Sequence, residues 1–365
     1  MVKCEESWRL LDWSASDPKM NLAVSEAIFR CKRANLSPNT LYLWRTSDPV
    51  ILFYPRTKDE NFSRLVKEQK VELLRTRSVA GDHFFCDTGN INFSVVVDKK
   101  CLKPYIEGDY RPFLSEYEFL LDGFVVAVRK LGIEAITDNQ RIFTADGQEI
   151  AAMQFAWLDD ILLCIGTIYV NTETAKLKST FKREFTSLSL ILKKNIRSDK
   201  LNKIIVHEFE KKLEIIFEKN GITGAEQKLA TKLYDNKYSR NKWHTEGRAP
   251  LLSLTGETLV FLYVANPPTS KCRQLIERVN RAVSCAGDEI KVILWMRGLG
   301  EQRHPLEAIP PVIFRLSKAN ILPAVVINGE VKFALEVPSE SDLKEAIQSP
   351  DNYPNILGLL YKKRA

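Results

Sequence analysis

Asp87-Thr-Gly-Asn-Ile-Asn-Phe-Ser-Val-Val-Val97 is a turn that runs into a strand. Asp87, Asn90 and Asn92 carry short polar side chains that cap their own backbone and so favour a turn; the same groups can hold a ligand. Ile91 to Val97 is β-branched and aromatic, so the chain leaves the turn extended. Upstream, residues 21–32 place Leu22, Ala23, Ile28 and Phe29 on one helix face, with Asn21 or the Asp17-Pro18 turn as the start. Residues 41–44 and 50–53 read as strands around the Ser47-Asp48-Pro49 turn, 61–69 as a short helix and 71–74 as a strand. Downstream, 110–131 has helical spacing. Residues 141–143, 148–154, 155–158 and 161–170 read as consecutive strands joined by turns at Asp146-Gly147 and Asp159-Asp160. Hairpins mixed with helices predict an α+β mixed-sheet domain over residues 1–178.

The composition then shifts. Residues 179–250 are dense in lysine, with helices expected over 200–220 and 226–237, and read as a small accessory domain. Residues 251–350 are more regular: a strand at 258–264, a helix at 271–285, a strand at 291–296 and a proline-rich stretch at Pro305, Pro310 and Pro311. A hairpin turning at Asn328-Gly329 follows, then a helix over 339–348 capped by Ser339. That β-α-β, β-β-α order is the order of a thioredoxin-like α/β domain. Residues 351–365 are a tail.

A chain of 365 residues with 45% apolar content has material for two or three cores, because one core rarely grows past ~250 residues. No apolar run reaches the ~18 residues that a membrane helix needs, and the longest, from Trp157 to Val170, is broken by Asp159 and Asp160. The first residues lack a basic start and an apolar centre, so a cytoplasmic protein is expected. Cys4, Cys31, Cys86, Cys101, Cys164, Cys272 and Cys285 are odd in number and contain no Cys-x-x-Cys pair, which argues against a disulfide framework. His83, His207, His244 and His304 are too dispersed for a zinc site of local spacing. The net charge of +7 biases the chain mildly towards acidic partners, from protein surfaces to nucleic acid. Nothing resembles a helix-turn-helix, a zinc finger or a G-x-x-G clamp, so nucleic-acid binding rests on charge alone.

Asp87-Thr-Gly-Asn-Ile-Asn-Phe-Ser94 resembles the Asp-x-Gly-Asn-Leu-Asn-Phe/Tyr-Ser segment of lipoate–protein ligases and lipoyl or octanoyl transferases. Further pieces occur in the order of that family: Asn21-Leu-Ala-Val-Ser-Glu-Ala-Ile28, Asp146-Gly-Gln-Glu-Ile150, Gly166-Thr-Ile-Tyr-Val-Asn171, and Lys237-Tyr238 followed by Trp243. The resemblance covers about residues 7–250. It implies a biotin/lipoate-ligase-like fold, lipoate or octanoate and ATP as ligands if the chain is active, and a lipoyl carrier domain as partner. In such ligases an acid is activated as an acyl-adenylate and passed to a carrier lysine.

Where the family has Arg-Arg-x-Ser-Gly-Gly-Gly-Ala-x-Phe-His-Asp, counting back from Asp87 gives Thr76-Arg-Ser-Val-Ala-Gly-Asp-His-Phe-Phe-Cys-Asp87. In this register only Arg77 and Gly81 survive of the phosphate-binding turn, whose glycines let backbone N–H groups approach an anion; a one-residue gap restores Arg75 and Ser78 as matches but not three glycines. Asp82 would repel one. Glu149 stands at the family's lysine, exchanging stabilisation of a developing anion for destabilisation. Ala152 replaces a glycine, and Ile165 replaces the histidine before Gly166-Thr167. The resemblance leaves Arg77, Gly81, Asp87, Asn90 and Asn92 as binding candidates, with Glu149 and Ile165 as degenerate catalytic positions. Cys86, Cys101 or Cys164 would be the thiol of a cysteine-using transferase, but no histidine accompanies any of them. His83 reads as an exposed loop histidine, Phe84 and Phe85 as channel or core. Tyr238 and Trp243 read as structural, and the lysine pairs 193–194 and 211–212 as solvated helix faces. In the thioredoxin-like part, Thr269 takes the first cysteine position and Cys272 the second, opposite Pro323. Both old sites are thus expected to have lost their chemistry.

The reading is a non-catalytic or chemically altered relative, a pseudoenzyme that binds a lipoyl carrier domain or another protein. Its rivals are a divergent ligase or acyltransferase, with Lys99 or Lys100 brought into the groove, and a structural subunit of a larger, possibly nucleic-acid-associated, complex.

Overall fold

The strand that starts in the Asp87 turn becomes the middle of a sheet because both of its faces are needed. In the computed structural model it spans Asn90–Asp98 and is buried almost throughout. The structure describes residues 7–53, 71–78, 80–81, 83–102, 106, 114–158, 160–174, 181, 183–247, 249, 258–284, 290–297, 313, 316–317, 319–348, 353–354 and 356. The helix expected over 61–69, the prolines 305, 310 and 311, Val79, Asp82 and Cys285 lie outside the described residues. Contacts divide the chain into two compact units, residues 1–234 with 243–247, and residues 235–242 with 248–365.

In the first unit the order is β1 (Trp8–Asp12), α1 (Pro18–Arg33), β2 (Thr40–Trp44), β3 (Val50–Phe53), β4 (Glu72–Arg75), β5 (Ala80–Gly81), β6 (Phe84–Cys86) and β7 (Asn90–Asp98). Then come α2 (Leu114–Arg129), β8 (Ala135–Asp138), β9 (Arg141–Thr144), β10 (Glu149–Leu158), β11 (Ile161–Tyr169), α3 (Leu188–Leu192), α4 (Ser198–Leu213), β12 (Phe217–Lys219) and α5 (Gly224–Leu233). The large mixed sheet runs β12-β1-β2-β7-β11-β10-β9-β8, with β5 also on β10; a small sheet runs β4-β3-β6.

Strand alternation sorts the large sheet into two faces. Ile91, Phe93, Val95 and Val97 of β7 join Tyr117, Leu121, Phe124 and Val128 of α2 and Leu201, Ile205 and Phe209 of α4 in one core. Phe93 stacks on Phe124 at 3.9 Å, and Phe209 meets Phe124 at 4.9 Å, so β7, α2 and α4 share one aromatic column. Each fully buried ring contributes on the order of 2–3 kcal/mol of transfer free energy. The opposite face is more polar. There α1, capped by Asp17 accepting from Lys19 N–H, bonds Ser25 Oγ to Ser94 Oγ at 2.8 Å and accepts from Tyr42 Oη at Asn21 Oδ1, also 2.8 Å.

The stretch expected as an accessory domain is largely built into this unit. Beyond the core residues of α4, β12 pairs in parallel with β1, and α5 is tied to β1 through Arg9 and Glu226. The expected 200–220 helix ends at Leu213, where Glu214 turns left-handed at φ 50°, and the chain continues as β12. Trp243 and His244 of the short helix α6 (Asn241–Glu246) hold the end of β4: Trp243 Nε1 donates to Arg75 O at 2.8 Å, and Arg75 N–H donates to His244 Nδ1 at 3.0 Å. Trp243 is thereby structural, as expected.

The second unit holds β13 (Thr258–Val264), α7 (Ser270–Ser284), β14 (Ile290–Met296), β15 (Ala324–Ile327), β16 (Glu330–Ala334) and α8 (Glu340–Gln348). Its sheet order is β14-β13-β15-β16, with β13 and β14 parallel and the other pairs antiparallel. Asn328 and Gly329 both have positive φ in the hairpin turn, and Ser339 Oγ accepts from Asp342 N–H to cap α8. Among the described residues no helix is long and apolar enough to cross a membrane.

Candidate functional site

Glu149 opens β10, and its side chain is fully buried. Its Oε2 lies 3.4 Å from Arg183 Nη1 and 3.5 Å from Arg141 Nε, while Tyr169 Oη donates to Oε1 at 3.5 Å. Burial pushes the Glu149 carboxyl up; Arg183, Arg141 and the Tyr169 hydroxyl pull it only part of the way back. Burial likewise holds Arg141 below the usual guanidinium value. The backbone closes the arrangement. Glu149 N–H donates to Glu184 O at 2.8 Å and Thr186 N–H to Glu149 O at 3.1 Å, so the segment around Phe185 is stitched to β10. The Arg183 guanidinium lies over the Phe181 and Phe185 rings at 5.6 and 5.3 Å, and its Nη2 is 3.3 Å from His83 Nε2. His83 stacks on Phe181 and is buried, not an exposed loop residue. The net negative spot expected from Glu149 alone is therefore corrected: one carboxylate sits between two guanidiniums, under an aromatic cover.

The binding candidates divide into those used by the fold and one that is not. Asp87 Oδ1 accepts from Gly89 N–H at 2.8 Å and Thr172 Oγ1 at 3.1 Å, and burial raises its pKa despite those bonds. Asn90 Nδ2 donates to Phe85 O at 2.9 Å, and its Oδ1 accepts from Thr172. Both residues belong to the turn. Arg77 Nε is 4.0 Å from Glu26 Oε1 on α1. Gly81 has φ +115°, and a Cβ there would come within 2.6 Å of Gln154 Cα, so β5 needs glycine to reach β10. Ile165 is buried on β11 between Ser94 and Gln154.

Asn92 is different. It is fully buried, and neither Nδ2 nor Oδ1 has a hydrogen-bond partner. Trp44, Asn92, Thr167 and Ala152 are cross-strand neighbours on β2, β7, β11 and β10, on one face. Trp44 Nε1 and Thr167 Oγ1 are also buried without a hydrogen bond, although the Cys86 thiol lies beside Thr167. Ser78 Oγ is in the same condition, two residues from Thr76, whose Oγ1 donates to Gln154 Oε1 at 2.6 Å. Each unmade bond costs about 1–3 kcal/mol, so a row of them points to a polar guest. These groups are neutral donors and acceptors. They fit an amide or carboxyl terminus and lack what a triphosphate needs. Sequence reasoning missed Trp44, Thr167, Arg141 and Arg183, because cross-strand register and the fold-back of 183–187 have no local signature.

The nucleophile candidates lie in the packed interior or in a disulfide. Cys86 and Cys164 are fully buried, and burial raises both thiols well above the ordinary range. Cys101 is disulfide-bonded and so offers no free thiol. Burial, assisted by Glu226, pushes Cys31 up to about 11. Iodoacetamide is expected to leave Cys86 and Cys164 unmodified in the native protein and to alkylate both after denaturation, as read by peptide mass mapping. Rapid native labelling of Cys86 would contradict this placement. Lys99 and Lys100 lie past the far end of β7, roughly 20 Å from Asn92 along the strand. Lys100 faces Asp160 at 3.7 Å. Phe84 and Phe85 are buried in the small sheet. Among the described residues no cluster of His, Cys, Asp or Glu could hold a metal.

The model of the lipoyl protein ligase A/B catalytic domain matches residues 17–210, more than half of the chain, and the chain belongs to that family. It is similar to lipoate-protein ligase A subunit 1 of Thermoplasma acidophilum, 24% identical over 258 residues that span 64% of this chain and 95% of that protein. Octanoyltransferase LipM of Moorella thermoacetica is 31% identical over 129 residues, 35% of this chain and 45% of that protein. The solved structure of a bi-partite lipoate protein ligase from Thermoplasma acidophilum, described with its E2 lipoyl domain, matches with a TM-score of 0.56 at 21% identity. It covers 66% of this chain and 96% of that one. The mixed α+β fold is that of the lipoate ligases.

Proposed function

We propose that this chain is a non-catalytic member of the family that binds a lipoyl-type carrier domain. The observation that carries the proposal is the enclosure of Glu149 between Arg141 and Arg183, where the family resemblance calls for a lysine. Both guanidiniums pair with that carboxylate, and Arg183 also lies over the Phe181 and Phe185 rings, so each is drawn away from an acyl-phosphate. The neutral row at Trp44, Asn92 and Thr167 suits the amide or carboxyl end of an acyl arm. A bi-partite relative studied with its lipoyl domain supports a protein partner. We read the second unit as a thioredoxin-like docking module. Its strand order, β14-β13-β15-β16 with β13 and β14 parallel, supports this. Cys272 is buried, its Sγ accepting from Thr269 Oγ1 at 3.1 Å, so among the described residues of this unit no exposed thiolate is offered for exchange.

One observation favours a catalytic reading instead: two guanidiniums and one carboxylate leave the same net sign as the family's lysine. A label-transfer assay with lipoate or octanoate, ATP and a purified lipoyl domain separates the two. No transfer is expected, with the domain still retained by the immobilised chain. ATP-dependent transfer that Arg141→Gln or Arg183→Gln abolishes would establish the enzyme.

A further inference from the structure

An open sheet ends in strands whose outer N–H and C=O groups the sheet itself does not pair, and such edges invite a further strand unless they are guarded. At one end of the large sheet Arg129 Nε and Nη2 donate to Ala135 O of β8 at 3.0 and 2.6 Å, which lays a guanidinium across that edge. At the other end β12 is three residues long, and Glu218 and Lys219 are two of them. In the second unit, residues beyond α8 cover β16. Ile356 N–H donates to Val331 O at 2.9 Å, and Lys332 Nζ donates to Tyr353 O at 2.7 Å.

The β14 edge has no such guard among the described residues. Ile290–Met296 reads Ile-Lys-Val-Ile-Leu-Trp-Met, seven residues with a single charge at Lys291. Its pairing with β13 is regular, with no bulge. The neighbouring strand β13 is buried from Leu259 to Val264, whereas every residue of β14 keeps some exposure and Leu294 is 40% exposed.

The backbone polarity of this edge follows from one bond. Arg297 N–H donates to Val264 O, so it faces β13. Strand alternation then turns Lys291, Ile293 and Trp295 to β13, and the N–H and C=O groups of Ile290, Val292, Leu294 and Met296 to the free side. That outward set is symmetric about Ile293. An antiparallel copy laid along the whole strand therefore opposes Val292 to Leu294 and Ile290 to Met296, twice each, with about eight backbone hydrogen bonds. The side chains agree with that register. Apolar groups meet on one face; on the other Ile293 meets itself, and Lys291 meets the Trp295 ring, so no charge opposes a like charge.

We infer that β14 pairs antiparallel with β14 of a second copy of this chain, on a two-fold axis at Ile293, and that the two four-stranded sheets become one. The inference is independent of the carrier-domain reading and concerns only the second unit.

Sedimentation of the full chain between about 1 and 100 μM is expected to show a monomer–dimer equilibrium that moves to dimer with concentration. Leu294→Pro removes an outward donor and no bond to β13, so circular dichroism should be unchanged while the dimer weakens at least about tenfold. Ile293→Lys and Ile293→Glu each set like charges face to face on the axis. Each alone is expected to be monomeric, and their equimolar mixture to dimerise again. That rescue requires residue 293 to meet itself, and a folding defect does not produce it. A parent that is monomeric at about 100 μM overturns the inference, whatever other strand the edge then accepts. A dimer indifferent to all three substitutions overturns it as well, as do charge variants that stay monomeric when mixed.

Discussion

Arg9→Met is expected to lower the unfolding free energy of the first unit by about 3–5 kcal/mol, because it leaves a buried carboxylate without its counter-ion. Arg9 Nη1 and Nη2 donate to Glu226 Oε2 and Oε1 at 2.7 and 2.6 Å, with 2% and 1% of the two side chains exposed. Glu226 also accepts from Ser37 Oγ and Thr223 N–H, so the same carboxylate closes the capping box of α5. Burial alone would raise its pKa, but the bonds from Arg9, Ser37 and Thr223 outweigh burial and hold it below the usual glutamate value. The sign of the pH dependence follows. The native state binds this proton less readily than the unfolded chain, so the contribution is complete above about 4.5, the ordinary glutamate value, and lost as pH falls through the depressed one. Urea unfolding as a function of pH reads both effects, in the transition of the first unit, to which both residues belong. Arg9→Met/Glu226→Met should recover part of the loss, since apolar replacement of a whole buried pair is often neutral. A loss below about 1 kcal/mol in the single variant would show that the pair is solvated.

What the sequence disclosed and what it withheld separates by range of interaction. The Asn328-Gly329 turn, the Ser339 cap and the Asp17-Pro18 helix start are local chemistry, and each element begins or turns there in the structure. The β7 strand was equally legible, because Ile91 to Val97 carries its own propensity. Arg9 and Glu226 meet across 217 residues, and nothing near either announces the other. The same holds for β12, three residues whose strand identity comes from pairing with β1, where Phe217 meets Trp8 edge to face, and which reads as the end of a helix by composition. At the candidate site the replacement at position 149 was visible from motif register, but its neighbours were not. A carboxylate in isolation predicts repulsion of anions; with Arg141 and Arg183 beside it, the acid is more than compensated and the cluster keeps a net positive charge. Asn92 shows the converse. Of three similar residues in one turn motif, only the pairing of Asp87, Asn90 and Thr172 could tell which side chain was left over for a ligand.

Restoring the family's lysine is the severest test of the site. Glu149→Lys is expected to destabilise the first unit by on the order of 5 kcal/mol and to create no ligase activity. The substitution removes both ion pairs and sets a third cation within about 4 Å of two others; each such contact costs about 4 kcal/mol at an effective dielectric of 20, before relaxation. A fully buried position leaves the new ammonium little route to water. Glu149→Gln separates charge from shape. It keeps the side chain's size and removes only the acid, so the guanidiniums lose their partner without gaining a neighbour. Because burial leaves the native Glu149 pKa raised, the native state holds this proton longer than the unfolded chain does. The parent should therefore lose stability as pH rises from about 4.5 through the raised value, and Glu149→Gln should lack that slope. Chemical denaturation across pH, with the lipoyl-transfer assay run beside it, gives the comparison. A Glu149→Lys protein as stable as the parent and able to transfer a lipoyl group would mean that the pocket is open and that a single substitution holds it inactive. An unstable, inactive protein would mean that the arginine pair and the Phe181 and Phe185 cover are packed to hold an acid, not an ammonium group, at position 149.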